Sequence, residues 1–142
     1  MGTNRGVEVD VDPQAPRSID EILSEARGRL SRVSPQDAYA RQLAGALLVD
    51  IRYELLRRRD GVIPGALIVE RNELEWRLDP QCEYRLPEAT RHDLRIVVVC
   101  NEGYASSLAA RSLQALGLRH ATDLIGGFQA WAAAGLPVDE IP

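Results

Sequence analysis

Lysine is absent: all 17 cationic side chains in this 142-residue sequence are arginine. That removes Schiff-base chemistry and lysine general bases from consideration. Cysteine is scarce, with only Cys82 and Cys100 and no Cys-x-x-Cys spacing. Neither a disulfide framework nor a zinc site is indicated, and a free thiol suits a reducing cytoplasm. The two histidines, His92 and His120, belong to no motif tying them to a cysteine, which argues against a Cys–His hydrolase. No apolar run approaches the ~20 residues that span a bilayer. The amino terminus lacks the basic start and apolar stretch of a secretory signal. Nor is there a basic excess: the formal net charge is −4, so no surplus of cations exists to neutralise a nucleic-acid backbone. Nothing in the pattern implies a metal or an organic cofactor.

What is present suits one globular core, with 45% hydrophobic and 27% charged residues. Residues 1–16 are polar and broken by Gly2, Gly6, Pro13 and Pro16, the pattern of a flexible tail. Ser18 with Glu21 forms a capping box opening a helix over about 18–32, with Ile19, Ile22, Leu23, Ala26 and Leu30 as its apolar stripe. Ser34-Pro35 starts a second helix through Leu43. Ala46–Val49 reads as a buried strand ending in Asp50-Ile51-Arg52, followed by a short helix over 53–59 with a solvated arginine face at Arg57, Arg58 and Arg59. A turn at Gly61–Gly65 leads into another strand, a helix over 72–78 is stopped by Asp79-Pro80, and residues 81–93 form a polar connection. Ala121–Ile125 is a strand, Gly126-Gly127 a turn, and 128–134 a helix ended by Gly135. Strands alternating with helices predict an α/β fold with a mostly parallel sheet, whose ligands bind at the carboxyl ends of the strands.

Residues 96–116 carry the chemistry. Ile96-Val97-Val98-Val99 reads as a strand buried on both faces and runs into Cys100. Asn101-Glu102-Gly103-Tyr104-Ala105 then leads to a helix with Ser106 or Ser107 as N-cap and Leu108, Ser112, Ala115 and Leu116 at helical spacing. A cysteine at such a strand-to-helix loop faces unpaired backbone N–H groups and the positive end of the helix dipole. The thiolate is favoured over the thiol there, which makes Cys100 the candidate nucleophile.

Four ordered segments resemble a single rhodanese domain: Leu48-Val49-Asp50-Ile51-Arg52, Ile63-Pro64-Gly65-Ala66, the Cys100–Ala105 loop with its helix, and Gly126-Gly127-Phe128-Gln129-Ala130-Trp131 through Pro137. They cover roughly residues 32–140. The resemblance implies a rhodanese-like three-layer fold, with a central five-stranded parallel sheet and helices on both faces. The domain would occupy residues 17–142, with the 18–32 helix as an addition. It also implies transfer of sulfane sulfur through a cysteine persulfide on Cys100, from a small-molecule donor to a thiol or cyanide-like acceptor. A protein sulfur-relay partner is a further expectation, and the location expected is cytoplasmic. The other class of function is a non-catalytic rhodanese-like module that binds a partner or senses persulfide.

Within that frame the backbone of Asn101, Glu102, Gly103, Tyr104, Ala105 and Ser106 forms the anion cradle. Related phosphatases use a loop one residue longer, closed by an arginine; here Ser106 holds that place and Val99 replaces the histidine that usually precedes the cysteine. Many sulfurtransferases of this family carry a cation in the loop, whereas this one has Ala105 and adds the anion Glu102. Like-charge repulsion then disfavours dianionic thiosulfate, so a low-charge persulfide is the expected donor. Arg71 and Arg77 are candidate substrate contacts that would supply the missing cation, and Trp76 is a candidate pocket wall or core residue. Asp50 and Arg52 are expected to act as structural support, and Cys82 as a bystander.

Overall fold

The computed structural model describes residues 14–141; most of the expected tail lies outside the described residues. The chain runs α1 (Ile19–Arg27), α2 (Pro35–Leu43), β1 (Leu47–Asp50), α3 (Glu54–Asp60), β2 (Leu67–Ile68), a 3-10 turn (Arg71–Glu73), α4 (Leu74–Leu78), β3 (Ile96–Val99), α5 (Ala105–Ala115), β4 (Ala121–Asp123) and α6 (Gly127–Ala133). The strands form one parallel sheet in the order β2-β1-β3-β4.

Alternation along the strands divides the core into two layers. Val49, Ile96 and Val98 face Leu74, Leu78, Ala109, Ala110 and Leu113 on one side. Leu48, Val97 and Val99 face Val33, Ala38, Ile63, Phe128 and Trp131 on the other. Because side chains alternate across a strand, four consecutive β-branched residues in β3 supply both layers and bury the strand completely. The three-layer α/β architecture follows, with helices on both faces.

The sheet has four strands where five were expected. The segment before α2 contributes a single parallel bridge, Val33 to Leu124, through Val33 N–H to the Asp123 carbonyl at 3.1 Å and Ile125 N–H to the Val33 carbonyl at 2.8 Å. It can do no more, because Ser34 is already committed as N-cap of α2, accepting from the Asp37 N–H at 3.1 Å. The first helix is shorter than expected for a related reason. The Ser18/Glu21 capping box forms, with bonds of 3.1 and 3.0 Å, but the helix ends at Arg27 with Gly28 as C-cap. Residues 29–33 uncoil to reach the sheet edge. Its stripe is only partly used: Ala26 is buried, while Ile19 and Ile22 are exposed. The helix packs against α5.

In α5 the buried positions are Ser106, Ser107, Ala109, Ala110 and Leu113, rotated from the expected stripe of Leu108, Ser112, Ala115 and Leu116. The N-cap is Tyr104 and makes no side-chain capping bond. Both serines turn their hydroxyls inward to a buried carboxylate instead. Trp131, fully buried, donates its indole N–H to the Pro137 carbonyl at 2.8 Å and meets Tyr39 edge-on at 5.7 Å, which ties the chain after α6 back onto the core.

Candidate active site

Cys100 follows β3 directly and is 6% exposed. Its Sγ accepts N–H groups from Gly103 at 3.1 Å and Ser106 at 3.3 Å. These two members of the expected cradle therefore contact the sulfur itself. Asn101, Glu102, Tyr104 and Ala105 line the cleft above it. Gly103 is at φ +87°, and a β-carbon there would lie 2.7 Å from the Gly126 nitrogen; glycine is what lets the loop close on the thiol. From the other side α6 binds the loop's carbonyls, Phe128 N–H to Cys100 at 2.8 Å and Gln129 N–H to Asn101 at 3.1 Å. This close approach requires Gly127, whose added β-carbon would meet the Cys100 carbonyl oxygen at 2.5 Å.

Behind the loop lies a polar network that sequence reasoning missed. Asp123, fully buried at the end of β4, accepts the hydroxyls of Ser106 and Ser107 at 2.7 and 2.8 Å and pairs with Arg32 at 2.9 Å. Arg32 also donates to the Gly103 carbonyl at 2.9 Å, and Arg27 from α1 donates to the same oxygen at 2.7 Å and to Ser107 Oγ at 3.1 Å. In a trans peptide N–H and C=O point opposite ways, so holding the Gly103 carbonyl backward turns the Tyr104 N–H toward the cleft. The one available signal was a carboxylate inside a short apolar strand, since a buried charge must have a partner.

The cleft measures about 300 Å³ and includes Ile51, Tyr53, Leu56 and Tyr104 in its walls. Arg71 lines it, with Nη1 on both oxygens of Glu75 at 3.0 and 3.1 Å. Burial pushes the Glu75 carboxyl upward, but hydrogen bonds from Ser112 and its own backbone, with the charge of Arg71, bring it below the usual carboxylate range. The positive charge of Arg71 is thus largely matched. Arg77 does not reach the cleft: it donates to the Tyr84 carbonyl at 2.6 Å and lies over the Tyr84 ring at 4.5 Å. Trp76, neither wall nor core, is 57% exposed.

Asp50 and Arg52 form a fully buried ion pair at 2.7 Å. Arg52 also donates to the Gly61 carbonyl at 2.7 Å and stacks 3.8 Å from the Phe128 ring centroid, joining the β1 end to α6. Arg57, expected on a solvated face, is buried and donates to the Arg52 carbonyl. Only Arg58 and Arg59 stay exposed. Cys82 lies in the long connection, its sulfur accepting the Tyr84 N–H at 3.4 Å.

A strand-end cysteine in a backbone cradle, on a parallel α/β sheet, is the arrangement of one class of proteins, and comparison with known proteins agrees. Residues 34–134 match the family model of the rhodanese-like domain. The thiosulfate sulfurtransferase GlpE of Haemophilus influenzae is 32% identical over 107 residues, covering 75% of this chain and 92% of that protein. The thiosulfate sulfurtransferase YnjE of Escherichia coli is 33% identical over 84 residues, covering 54% of this chain and 19% of that protein. Among solved structures, RPA3614 of Rhodopseudomonas palustris, a protein of unknown function described as a possible tyrosine phosphatase, superposes with a TM-score of 0.79. It is 36% identical and covers 91% of this chain and all of its own. A thiosulfate sulfurtransferase from Pseudomonas aeruginosa superposes with a TM-score of 0.61 at 25% identity, covering 78% of this chain and 19% of its own. The chain belongs to the rhodanese-like family. It is a sulfurtransferase of the rhodanese type.

Proposed function

We propose that sulfur passes through Cys100 and that the preferred donor is a persulfide of low charge. The observation that carries this reading is the Cys100 sulfur, held by two N–H groups beneath an open cleft in whose lining, among the described residues, Glu102 has no ion-pair partner. The Cys100 thiolate attacks the outer sulfur of the donor and forms a new S–S bond. The donor's own bond to that sulfur breaks, and the leaving group departs with the electron pair, as a thiolate from a persulfide or as sulfite from thiosulfate. Cys100 then carries one extra sulfur: the Gly103 and Ser106 N–H groups hold its Sγ, and the other backbone N–H groups of the Asn101–Ser106 loop stabilise the negative charge on the outer sulfur, an electrostatic cradle of the oxyanion-hole kind. An acceptor thiolate or cyanide attacks that terminal sulfur, and Cys100 is released as thiolate.

Donor choice follows from charge: Arg52 pairs with Asp50 and Arg71 with Glu75, and Glu102, an exposed member of the cleft lining, is the charge proposed to repel an incoming dianion. The walls at Ile51, Tyr53, Leu56 and Tyr104 favour a donor with an apolar body. Thiosulfate, the substrate in the names of the relatives, is thereby expected to serve here as the poorer donor. Phosphoryl transfer is not favoured, because the loop contains no arginine to hold a phosphoryl group and the Ser106 hydroxyl is turned away onto Asp123. Residues 17–142 are proposed to act as one domain, with α1 as part of it, in a cytoplasmic setting that keeps both cysteines free. Steady-state kinetics with glutathione persulfide and thiosulfate, using a common thiol acceptor, test the reading. A higher kcat/KM for the persulfide is expected; equal or faster turnover of thiosulfate would overturn the donor assignment.

A further inference from the structure

The other end of the sheet holds a second pocket, of about 250 Å³, where Arg95 enters β3 and His120 enters β4. With a strand rise of about 3.3 Å per residue, Arg95 sits roughly 16 Å from Cys100, so this pocket is separate from the sulfur site. Arg29, Arg41, Arg95 and Arg119 converge on it with His120, and no carboxylate lines it. Among the described residues the side chains of these four arginines have no hydrogen-bonding or ion-pairing partner. Elsewhere the chain pairs its cations freely, as at Arg17, Arg32, Arg52, Arg58, Arg59, Arg71 and Arg91. Four unmatched guanidinium groups together, on a chain of net charge −4, repel one another unless an anion joins them.

A second observation points the same way. Thr122 lines this pocket at 3% exposure, and its hydroxyl is buried without a hydrogen-bond partner. Unpaired buried hydroxyls are rare because each forfeits its hydration. Gln114 does not serve it: its amide nitrogen bonds the Arg29 and Ala121 carbonyls at 3.2 and 3.1 Å, and its oxygen accepts from Arg111 at 2.7 Å. An adjoining cleft of about 580 Å³ shares Arg41, Arg95 and His120, and its walls include Ala44, Ala46 and Leu94. Its carboxylate, Asp93, is matched by Arg91 at 2.7 Å.

We infer that this pocket binds a small molecule bearing two or more linked phosphate groups, with the organic body lying in the adjoining cleft. Guanidinium forks match phosphate oxygens in pairs, and a cleft lined by one sign of charge concentrates counter-ions of the other. A chain of phosphates supplies several negative charges within a volume that several single anions would have to share.

Calorimetry on the full chain with inorganic phosphate, pyrophosphate and tripolyphosphate tests the site. Saturable one-to-one binding is expected, tightening about tenfold from phosphate to pyrophosphate and weakening as salt rises. The Arg41→Gln/Arg95→Gln double variant should lose at least about tenfold in pyrophosphate affinity, while its sulfur transfer at Cys100, unchanged, shows that it is folded. Amide NMR titration of the unaltered chain needs no variant: shifts should gather at Arg95, His120 and Thr122. Four results would overturn the proposal: no saturable pyrophosphate binding up to millimolar concentration, shifts centred on the Cys100 loop, sulfate binding as tightly as pyrophosphate, or a single-stranded RNA outcompeting tripolyphosphate.

Discussion

At Cys100 the sulfur has two backbone donors and an open cleft above it; at Cys82 it has one long contact in a surface connection. Cys100→Ala is therefore expected to lower sulfur transfer at least about a thousandfold while shifting stability by no more than about 1 kcal/mol, since little volume is lost. Cys82→Ala should leave the rate unchanged. Assays of both variants with thermal melts check this, and the reverse pattern would move the nucleophile. Glu102 and Ala105 set the charge of the mouth. Replacing them together, Glu102→Gln with Ala105→Arg, should raise kcat/KM for thiosulfate about tenfold, equivalent to about 1.4 kcal/mol of transition-state stabilisation. That gain should shrink at high salt, where attraction of a dianion is screened. No change would mean that Arg71 already provides the anion contact despite its pairing with Glu75.

At the level of elements, the Cys100 loop is shaped by what lies behind it. Gly103→Ala forces a side chain onto a φ of +87° and against the Gly126 nitrogen at 2.7 Å. It is expected to cost about 1–3 kcal/mol and, by displacing the Gly103 N–H from the thiol, most of the activity; urea unfolding and rate assays check both. Arg27 and Arg32 grip the same carbonyl but should separate in their effects. Arg27→Gln is expected to lower kcat about tenfold with little change in melting temperature. Arg32→Gln leaves Asp123 buried without its cation and should cost about 3–5 kcal/mol. The strand–loop–helix unit at Ile96–Ala115 was legible in the sequence because its apolar run and the following helix are local patterns. The Arg27–Arg32–Asp123 network was not, because it joins residues more than ninety positions apart (Arg32 to Asp123) through folding alone. Likewise α5 faces Asp123 with its serines, so a reading of its apolar residues by spacing placed the buried face one step away. Arg77 was misplaced for a similar reason: a helix of five residues, Leu74–Leu78, has too little pattern to fix its rotation, and the long connection after it supplied Tyr84 as partner.

For the molecule as a whole, the two core layers and their alternation through β3 explain why the fold class could be read while the strand count could not: a one-residue bridge at Val33 has no periodicity to detect. A local pair and one long-range tie contribute to the acid limb of stability. Asp60 is lowered from 3.8 to about 2, chiefly by the hydrogen bond from Arg59, with Gln129 adding to it. A carboxyl depressed on folding contributes stability that is complete above its unfolded value and fades as pH falls through about 2. Asp60→Asn should therefore flatten part of the decline in melting temperature between about pH 4 and pH 2 and leave the neutral region nearly unchanged; the effect will be modest because its partner Arg59 is exposed and solvent screens the pair. An unaltered acid limb in the variant would show that other carboxylates set it. The central claim is that sulfur rests on Cys100 between the two half-reactions. Intact-protein mass spectrometry after brief exposure to glutathione persulfide, without acceptor, followed by peptide mapping, measures this directly. The expected result is a gain of one sulfur atom, located on Cys100 and lost when cyanide or a thiol is added. Sulfur located on Cys82, or product formed while Cys100 never gains mass, would contradict it.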